Sequence, residues 1–339
     1  MIIRRIEVVI DLIFKFLVSF FVSLIIAFPI YKLILKLKVG QPILEYVDKH
    51  NSKSGTPTMG GIIFILGFVL TSLVLISGYV KIIFCCILFV LLNCLVGFYD
   101  DFLKIRGRKN EGLKPYQKIV FQFLISLLWG VILYLNSLTF VLIPFTHTVV
   151  NMGFGVIPIA IFLSLFFINS VNLTDGLDGL VSFITIMVSV VFACILGLIL
   201  NDVINSLVGY DEFAENLAIF ATIFSGAVLG FIFYNCYPAK MFMGDTGSLA
   251  IGAFLISISF ASGTILYLCI FGVMYIVSSV SVIIQVAYYK ITKKRVFLMA
   301  PLHHHFELKG VHENRITFSY TIATMLACLL VIALELVIK

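Results

Sequence analysis

The sequence predicts an all-α, polytopic membrane protein with about ten transmembrane helices, and three observations carry that prediction. Of the 339 residues, 61% are hydrophobic and only 12% are charged, with a mean hydropathy of +1.15; soluble domains average about 25% charged residues. Apolar runs of about 18 residues or more recur along the whole chain, each long enough to cross a hydrocarbon core as a helix. The runs are continuous rather than alternating. Backbone polar groups that lipid cannot satisfy must therefore be paired inside helices, not in a β-barrel.

Ten spans follow in order: 12–36, 59–79, 81–99, 117–135, 158–171, 179–200, 216–234, 248–262, 264–289 and 317–338. An amphipathic start precedes the first, and no small-residue cleavage site follows it, so no removable signal peptide is expected. Residues 136–157 hold Pro144, Gly153 and Gly155 with few polar side chains, and read as a hairpin. Residues 201–215 form an acidic loop with Asp202, Asp211, Glu212 and Glu215. No long linker or repeat interrupts the series, so residues 1–339 read as a single domain. The seven cysteines lie in or beside apolar runs without CxxC spacing, as small buried hydrophobes do.

Orientation follows from the basic residues. Most of the 23 lysines and arginines fall in the loops after spans 1, 3, 7 and 9, from Lys32 to Lys53, Lys104 to Lys118, Lys240, and Lys290 to Arg315. Short basic loops stay in the cytoplasm, so both termini face outward. The net charge of +6 tracks this topology and is no nucleic-acid signature. It favours anionic lipid and phosphate at the inner face.

The polar residues that stand out share that side. Lys53 in HNSKSGTPTMGG precedes span 2. Asp100 and Asp101 in GFYDDFLK lie where span 3 exits. Asn172, Asp175 and Asp178 in VNLTDGLDGL separate spans 5 and 6. Asn235, Lys240, Phe242 and Asp245 in NCYPAKMFMGDTGS follow span 7. Gln285 ends span 9, and His303, His304 and His305 in APLHHHFELKG come after it. Charges at membrane depth are costly and mark functional paths, so these residues border one cavity facing the cytoplasm.

Asn172, Asp175 and Asp178 stand at i, i+3 and i+6, one stripe if helical, with Gly176 and Gly179 keeping the turn slim for a ligand or another backbone. Helix capping is the plainer reading. Asp100 and Asp101 point about 100° apart on a helix. One faces the cavity while the other meets Lys104 or the loop, unless both are a polar stop at a helix end. Asp245 on a glycine-flanked turn suits Mg²⁺, which takes one or two carboxylates and bridges phosphate oxygens; Thr246 and Ser248 read as caps of the next span. Three consecutive histidines cannot easily converge on one zinc ion, so phosphate contact or proton transfer fits better, against a plain polar loop. Phe242 offers a face to a nucleobase or simply packs. Acids for Mg²⁺, lysines and histidines for phosphate, and a lipid-facing cleft together describe phosphoryl transfer at the inner membrane face.

HNSKSGTPTMGG, GFYDDFLK with NEGLKPYQK, NSVNLTDGLDGL, NCYPAKMFMGDTGS and PLHHHFELKG are also long and in a fixed order. On them, nearly the whole chain resembles the polyprenyl-phosphate N-acetylhexosamine-1-phosphate transferase superfamily and, within it, the phospho-N-acetylmuramoyl-pentapeptide transferase family. The resemblance implies that undecaprenyl phosphate attacks the sugar-linked phosphate of UDP-N-acetylmuramoyl-pentapeptide. UMP leaves, and the first lipid-linked intermediate of peptidoglycan forms at the bacterial cytoplasmic membrane. It further implies Mg²⁺ dependence, ten spans with outward termini, and a homodimer. Carried over residue by residue, Asp245 is the Mg²⁺ ligand and Asp100 activates the lipid phosphate, as base or nucleophile. Asp101, Lys104 and Lys118 line the same cleft. Lys53, Asn172, Asp175, Asp178, Asn235, Phe242, Gln285, His303, His304 and His305 surround the nucleotide-sugar, with Phe242 stacked on uracil and His304 on the diphosphate. These positions show no departure from the family pattern.

Three rivals remain on the sequence. A superfamily relative that transfers N-acetylglucosamine phosphate shares the acidic motifs, but PLHHHFELKG and GTPTMGG resemble the muramoyl branch. An intramembrane aspartyl protease is echoed by FYDD, MGD and APL, yet the GxGD pattern is absent and the acids sit at span ends. A transporter is expected to show broken helices with polar residues at the midplane; here the polar set lies on one side.

Overall fold

The computed structural model describes residues 2–36, 55–77, 80–107, 112–146 and 148–338. Lys53 lies outside the described residues. The order is α1 (Ile2–Lys36), α2 (Gly61–Leu75), α3 (Val80–Gly107), α4 (Pro115–Leu135), β1 (Phe140–Leu142), β2 (Val149–Asn151), α5 (Val156–Thr174) and α6 (Leu180–Cys194). It continues with α7 (Asn201–Val208), α8 (Phe213–Asn235), α9 (Gly244–Ala261), α10 (Ile265–Phe271), α11 (Val273–Thr292), α12 (Leu302–Leu308) and α13 (Glu313–Ile338). Among the described residues the molecule is a helical membrane bundle with one small hairpin, as the composition requires.

Among the described residues, nine segments are long and apolar enough to span a membrane. The second expected span, 59–79, is the apolar α2, which has only 15 residues and falls short of the ~20 a full crossing takes. The ninth expected span, 264–289, is broken at Gly272 into α10 and α11. Gly272 leaves the helical region at φ −84°, ψ 17°. A Cβ there would lie 2.8 Å from the Leu268 carbonyl oxygen. The break carries no charged side chain, unlike the midplane breaks of transporters. The acidic segment 201–215 folds in part as α7.

α8 and α9, apolar on every side, form the centre; α1, α11 and α13 present much of their surface to lipid. α9 packs against α2, α3 and α5, and α8 against α1, α2 and α6. Phe224 of α8 stacks on Phe254 of α9 at 3.7 Å between ring centroids, with Phe68 of α2 edge-on to Phe224 at 4.9 Å. Lipid provides no hydrophobic drive between helices, so close crossings use small residues. Gly226 and Gly230 of α8 meet the α1 face that holds Ser19, Ser23 and Ala27. A Cβ at Gly230 would sit 2.8 Å from the Phe20 carbonyl oxygen, and the Ser19 hydroxyl donates to the Ile223 carbonyl at 2.6 Å.

The expected hairpin forms with Phe140 opposite Asn151. The Leu142 amide donates to the Gly263 carbonyl at 2.8 Å, and the Phe145 amide to Glu335 Oε1 at 3.0 Å. The hairpin therefore lies at the end of the bundle where α13 finishes. The candidate residues lie at the opposite end, where α3, α5, α8 and α11 finish and α4, α6, α9 and α13 begin.

Candidate active site

The α3 helix runs on to Gly107, so Asp100 and Asp101 sit within its last turns rather than beyond the expected end at 99. Adjacent on a helix, they diverge. Asp101 is fully buried and faces α9. Its carboxylate accepts from the Asp245 amide at 3.2 Å, the Thr246 amide at 2.9 Å and the Thr246 hydroxyl at 2.7 Å. Those amides are orphan donors of the first turn of α9, which no neighbouring side chain caps. The expected caps within the motif are replaced by a carboxylate 144 residues away from Asp245 in sequence. Gly97, one turn earlier, lets the two helices close: a Cβ there would collide with the Asp245 carbonyl.

Asp100 turns the other way. Its Oδ1 accepts the Leu113 amide at 2.8 Å, and its Oδ2 lies 2.6 Å from Lys104 Nζ. Asp245 Oδ2 is gripped by Lys118 Nζ at 2.6 Å and Lys104 Nζ at 3.1 Å. Its Oδ1 accepts from Asn172 Nδ2 at 2.8 Å, which also reaches Ser248 Oγ at 2.8 Å. Four helices thus converge: α3 brings Asp100 and Lys104, α4 Lys118, α5 Asn172 and α9 Asp245.

Oxygens of Asp100, Asp101 and Asp245 lie within 4.8 Å of one another. Asp100 and Asp245 meet lysine nitrogens at 2.6–3.1 Å, partners that a cation could replace, so they are the candidates to hold one. Two hard carboxylates fit Mg²⁺, and the acids sit where two lysines already balance charge.

The expected helical stripe of Asn172, Asp175 and Asp178 is not there. α5 ends at Thr174, and residues 175–179 form a tight loop ending at Gly179, φ +73°. The three side chains part. Asn172 reaches Asp245. Asp178 Oδ2 accepts the Ala239 amide at 2.9 Å. Asp175 lies near the acidic centre, where burial first, then the charges of Asp245, Asp101 and Asp178, push its carboxyl well above the usual range against the pull of Lys104.

The histidines also divide. A Cβ at Gly176 would collide with His303 and come within 2.8 Å of His304 Nε2, so both rings abut the 175–178 loop. His303 is fully buried, and neither ring nitrogen has a hydrogen-bond partner among the described residues. Burial and the neighbouring His304 lower its pKa to about 3, so it is neutral. His304 Nδ1 lies 3.0 Å from Glu307 Oε2. His305 points elsewhere and accepts the Leu298 amide at 3.1 Å. Gln285 fastens the same segment, accepting from the Val296 and Phe297 amides at 3.0 and 2.9 Å. Asn235 ties α6 to the 236–243 loop through Ser182 Oγ at 2.7 Å and the Met241 carbonyl at 3.2 Å. Phe242 is half-buried in that loop, its amide on the Pro57 carbonyl at 2.8 Å.

Glu313 escaped the sequence reading. It accepts the Asp178 amide at 2.6 Å from 135 residues away, and an acid at a helix start is too ordinary a signal to reveal that target.

The model of glycosyl transferase family 4 matches residues 82–263, and the first signature of phospho-N-acetylmuramoyl-pentapeptide-transferase matches residues 53–65. Curated relatives carry that same transferase name. One from Clostridium novyi (strain NT) is 41% identical over 326 residues, 94% of this chain and 95% of the relative. One from Clostridioides difficile (strain 630) is 39% identical over 93% of this chain and 95% of its own. One from Caldicellulosiruptor bescii is 38% identical over 96% and 98%.

Proposed function

The chain belongs to glycosyl transferase family 4 and, through its relatives, to the phospho-N-acetylmuramoyl-pentapeptide transferases, and from that premise we propose that it joins phospho-N-acetylmuramoyl-pentapeptide to undecaprenyl phosphate. An oxygen of the lipid phosphate attacks the sugar-linked phosphorus of UDP-N-acetylmuramoyl-pentapeptide. The phosphorus–oxygen bond to UMP breaks, UMP leaves, and the lipid diphosphate product stays in the membrane. The observation that carries this reading is the convergence of Asp100, Asp245, Lys104 and Lys118 at one end of the bundle. Phosphoryl transfer needs charge neutralisation and positioning rather than covalent help.

Within this reading Asp100 keeps the attacking lipid phosphate deprotonated. Lys104 and Lys118 neutralise phosphoryl oxygens, and Asn172 fixes the Asp245 carboxylate. Asp245, with Asp100, would hold Mg²⁺, and the ion would supply charge neutralisation for the phosphoryl transfer. Asp101 acts by holding the first turn of α9. Asp175, Phe242, His303 and His304 border the nucleotide-sugar, with Phe242 against uracil and His304 against the diphosphate. Asp178, Asn235, Gln285 and His305 support that end by fastening its loops. The basic loops put this face in the cytoplasm of a bacterial cell, and the working unit is a homodimer.

The test is UMP release by purified protein in detergent with undecaprenyl phosphate and Mg²⁺. Release from UDP-N-acetylmuramoyl-pentapeptide, none from UDP-N-acetylglucosamine, and loss with a chelator are the expected results. Release from the glucosamine substrate alone would move the chain to the other branch of the superfamily.

A further inference from the structure

We propose that Glu313, with Thr317 and Tyr320 on the same face of α13, is a positioning residue for the nucleotide-sugar end of the site; this rests on the transferase reading above. The three stand at i, i+4 and i+7, one stripe of a helix, and all are buried.

The stripe meets the 175–179 loop from outside the reacting centre. Glu313 Oε1 accepts the Asp178 amide at 2.6 Å, a short charge-assisted bond, and Thr317 Oγ1 donates to the Asp178 carbonyl at 3.4 Å. Both peptide groups of Asp178 are thus held by α13. The Asp178 carboxylate in turn accepts the Ala239 amide at 2.9 Å. A chain of bonds therefore runs from α13 through Asp178 to the 236–243 loop, which carries Phe242. One turn further along, the Tyr320 ring stands 6.3 Å from the ring of His303, which abuts Gly176. Loops bracketing a substrate gain precision when a rigid element holds them, and here one helix face holds both.

None of these contacts reaches Asp100, Lys104 or Lys118. The inference therefore separates the two substrates: α13 sets the nucleotide-sugar end and leaves the lipid phosphate end alone. An acid at a helix start acting only through the helix dipole would favour folding and spare neither substrate in particular.

Steady-state kinetics with each substrate varied in turn tests this. Glu313→Ala is expected to raise KM for UDP-N-acetylmuramoyl-pentapeptide about tenfold, as loss of one charge-assisted hydrogen bond does, with KM for undecaprenyl phosphate unchanged. Glu313→Gln, which keeps an acceptor oxygen, is expected to restore most of the loss, and Thr317→Val to give a smaller rise in the same constant. If Glu313→Ala fails to fold, the Gln and Val variants carry the test through the same comparison of constants. Equal rises in both KM values, a fall confined to kcat, or no difference between the Ala and Gln variants would overturn the inference while leaving the transferase reading standing. A wild-type protein without turnover would overturn that reading and this inference with it.

Discussion

Asp101 and Asp245 belong to one small network but take different parts in it. Asp101 accepts three bonds from the first turn of α9, while Asp245, in that turn, faces Lys104, Lys118 and Asn172. Asp101→Asn keeps the shape but loses the charge of the cap, so unfolding in detergent should show about 1.5–3 kcal/mol less stability. Asp245→Asn and Asp100→Asn should each lower kcat by at least about 10²-fold, read by UMP release. His303 gives a pH prediction. Its folded pKa of about 3 lies below the ordinary 6.5, so the unfolded chain takes up this proton first as pH falls. Its contribution to stability is complete above about pH 6.5 and is lost as pH drops towards 3. Between pH 6.5 and 4.5 that is about 2–3 kcal/mol, and thermal unfolding of His303→Gln should lack this part of the slope. The acids themselves were legible because a charge in so apolar a chain stands out. Which of two adjacent aspartates caps a helix was not, because the answer lies in contacts 144 and 145 residues away.

At the scale of elements, the spans were legible and their joints were not. Hydropathy places α8 and α13 within a few residues, but it ends α3 at 99 rather than Gly107 and reads 264–289 as one helix, because Gly272 between two apolar runs is silent until its neighbours are known. The Asn172–Asp178 spacing likewise suits a helix, yet Gly176 and Gly179 end it, and the tight loop sends each side chain to a different partner. The crossing of α1 and α8 gives an element-scale prediction. Gly230→Leu drives a side chain into the Phe20 carbonyl and should cost about 1–3 kcal/mol by overpacking. A lowered melting temperature, with metal affinity unchanged at the distant site, is the expected outcome.

For the whole molecule, two separate patterns point to one polarity. The structure gathers the chemical residues at one end of the bundle and the hairpin at the other, and the lysines and arginines of the sequence crowd the loops of the first end. In a background without the seven native cysteines, Lys309→Cys should react with an impermeant thiol reagent only from the cytoplasmic face. Asp202→Cys should react only from outside; the reverse labelling would invert the topology. The all-helical class was visible in composition, since lipid constrains it strongly. The convergence of Asp100, Lys104, Lys118, Asn172 and Asp245 was not, because it is made by the ends of four helices distant in sequence. The most direct measurement is mass-spectrometric detection of the undecaprenyl-diphospho-muramoyl-pentapeptide product formed by wild-type and folded Asp245→Asn proteins side by side, with Mg²⁺ and both substrates. Product from the wild type and essentially none from the variant is the predicted result; equal product from both would contradict the placing of phosphoryl transfer at Asp100, Asp245, Lys104 and Lys118.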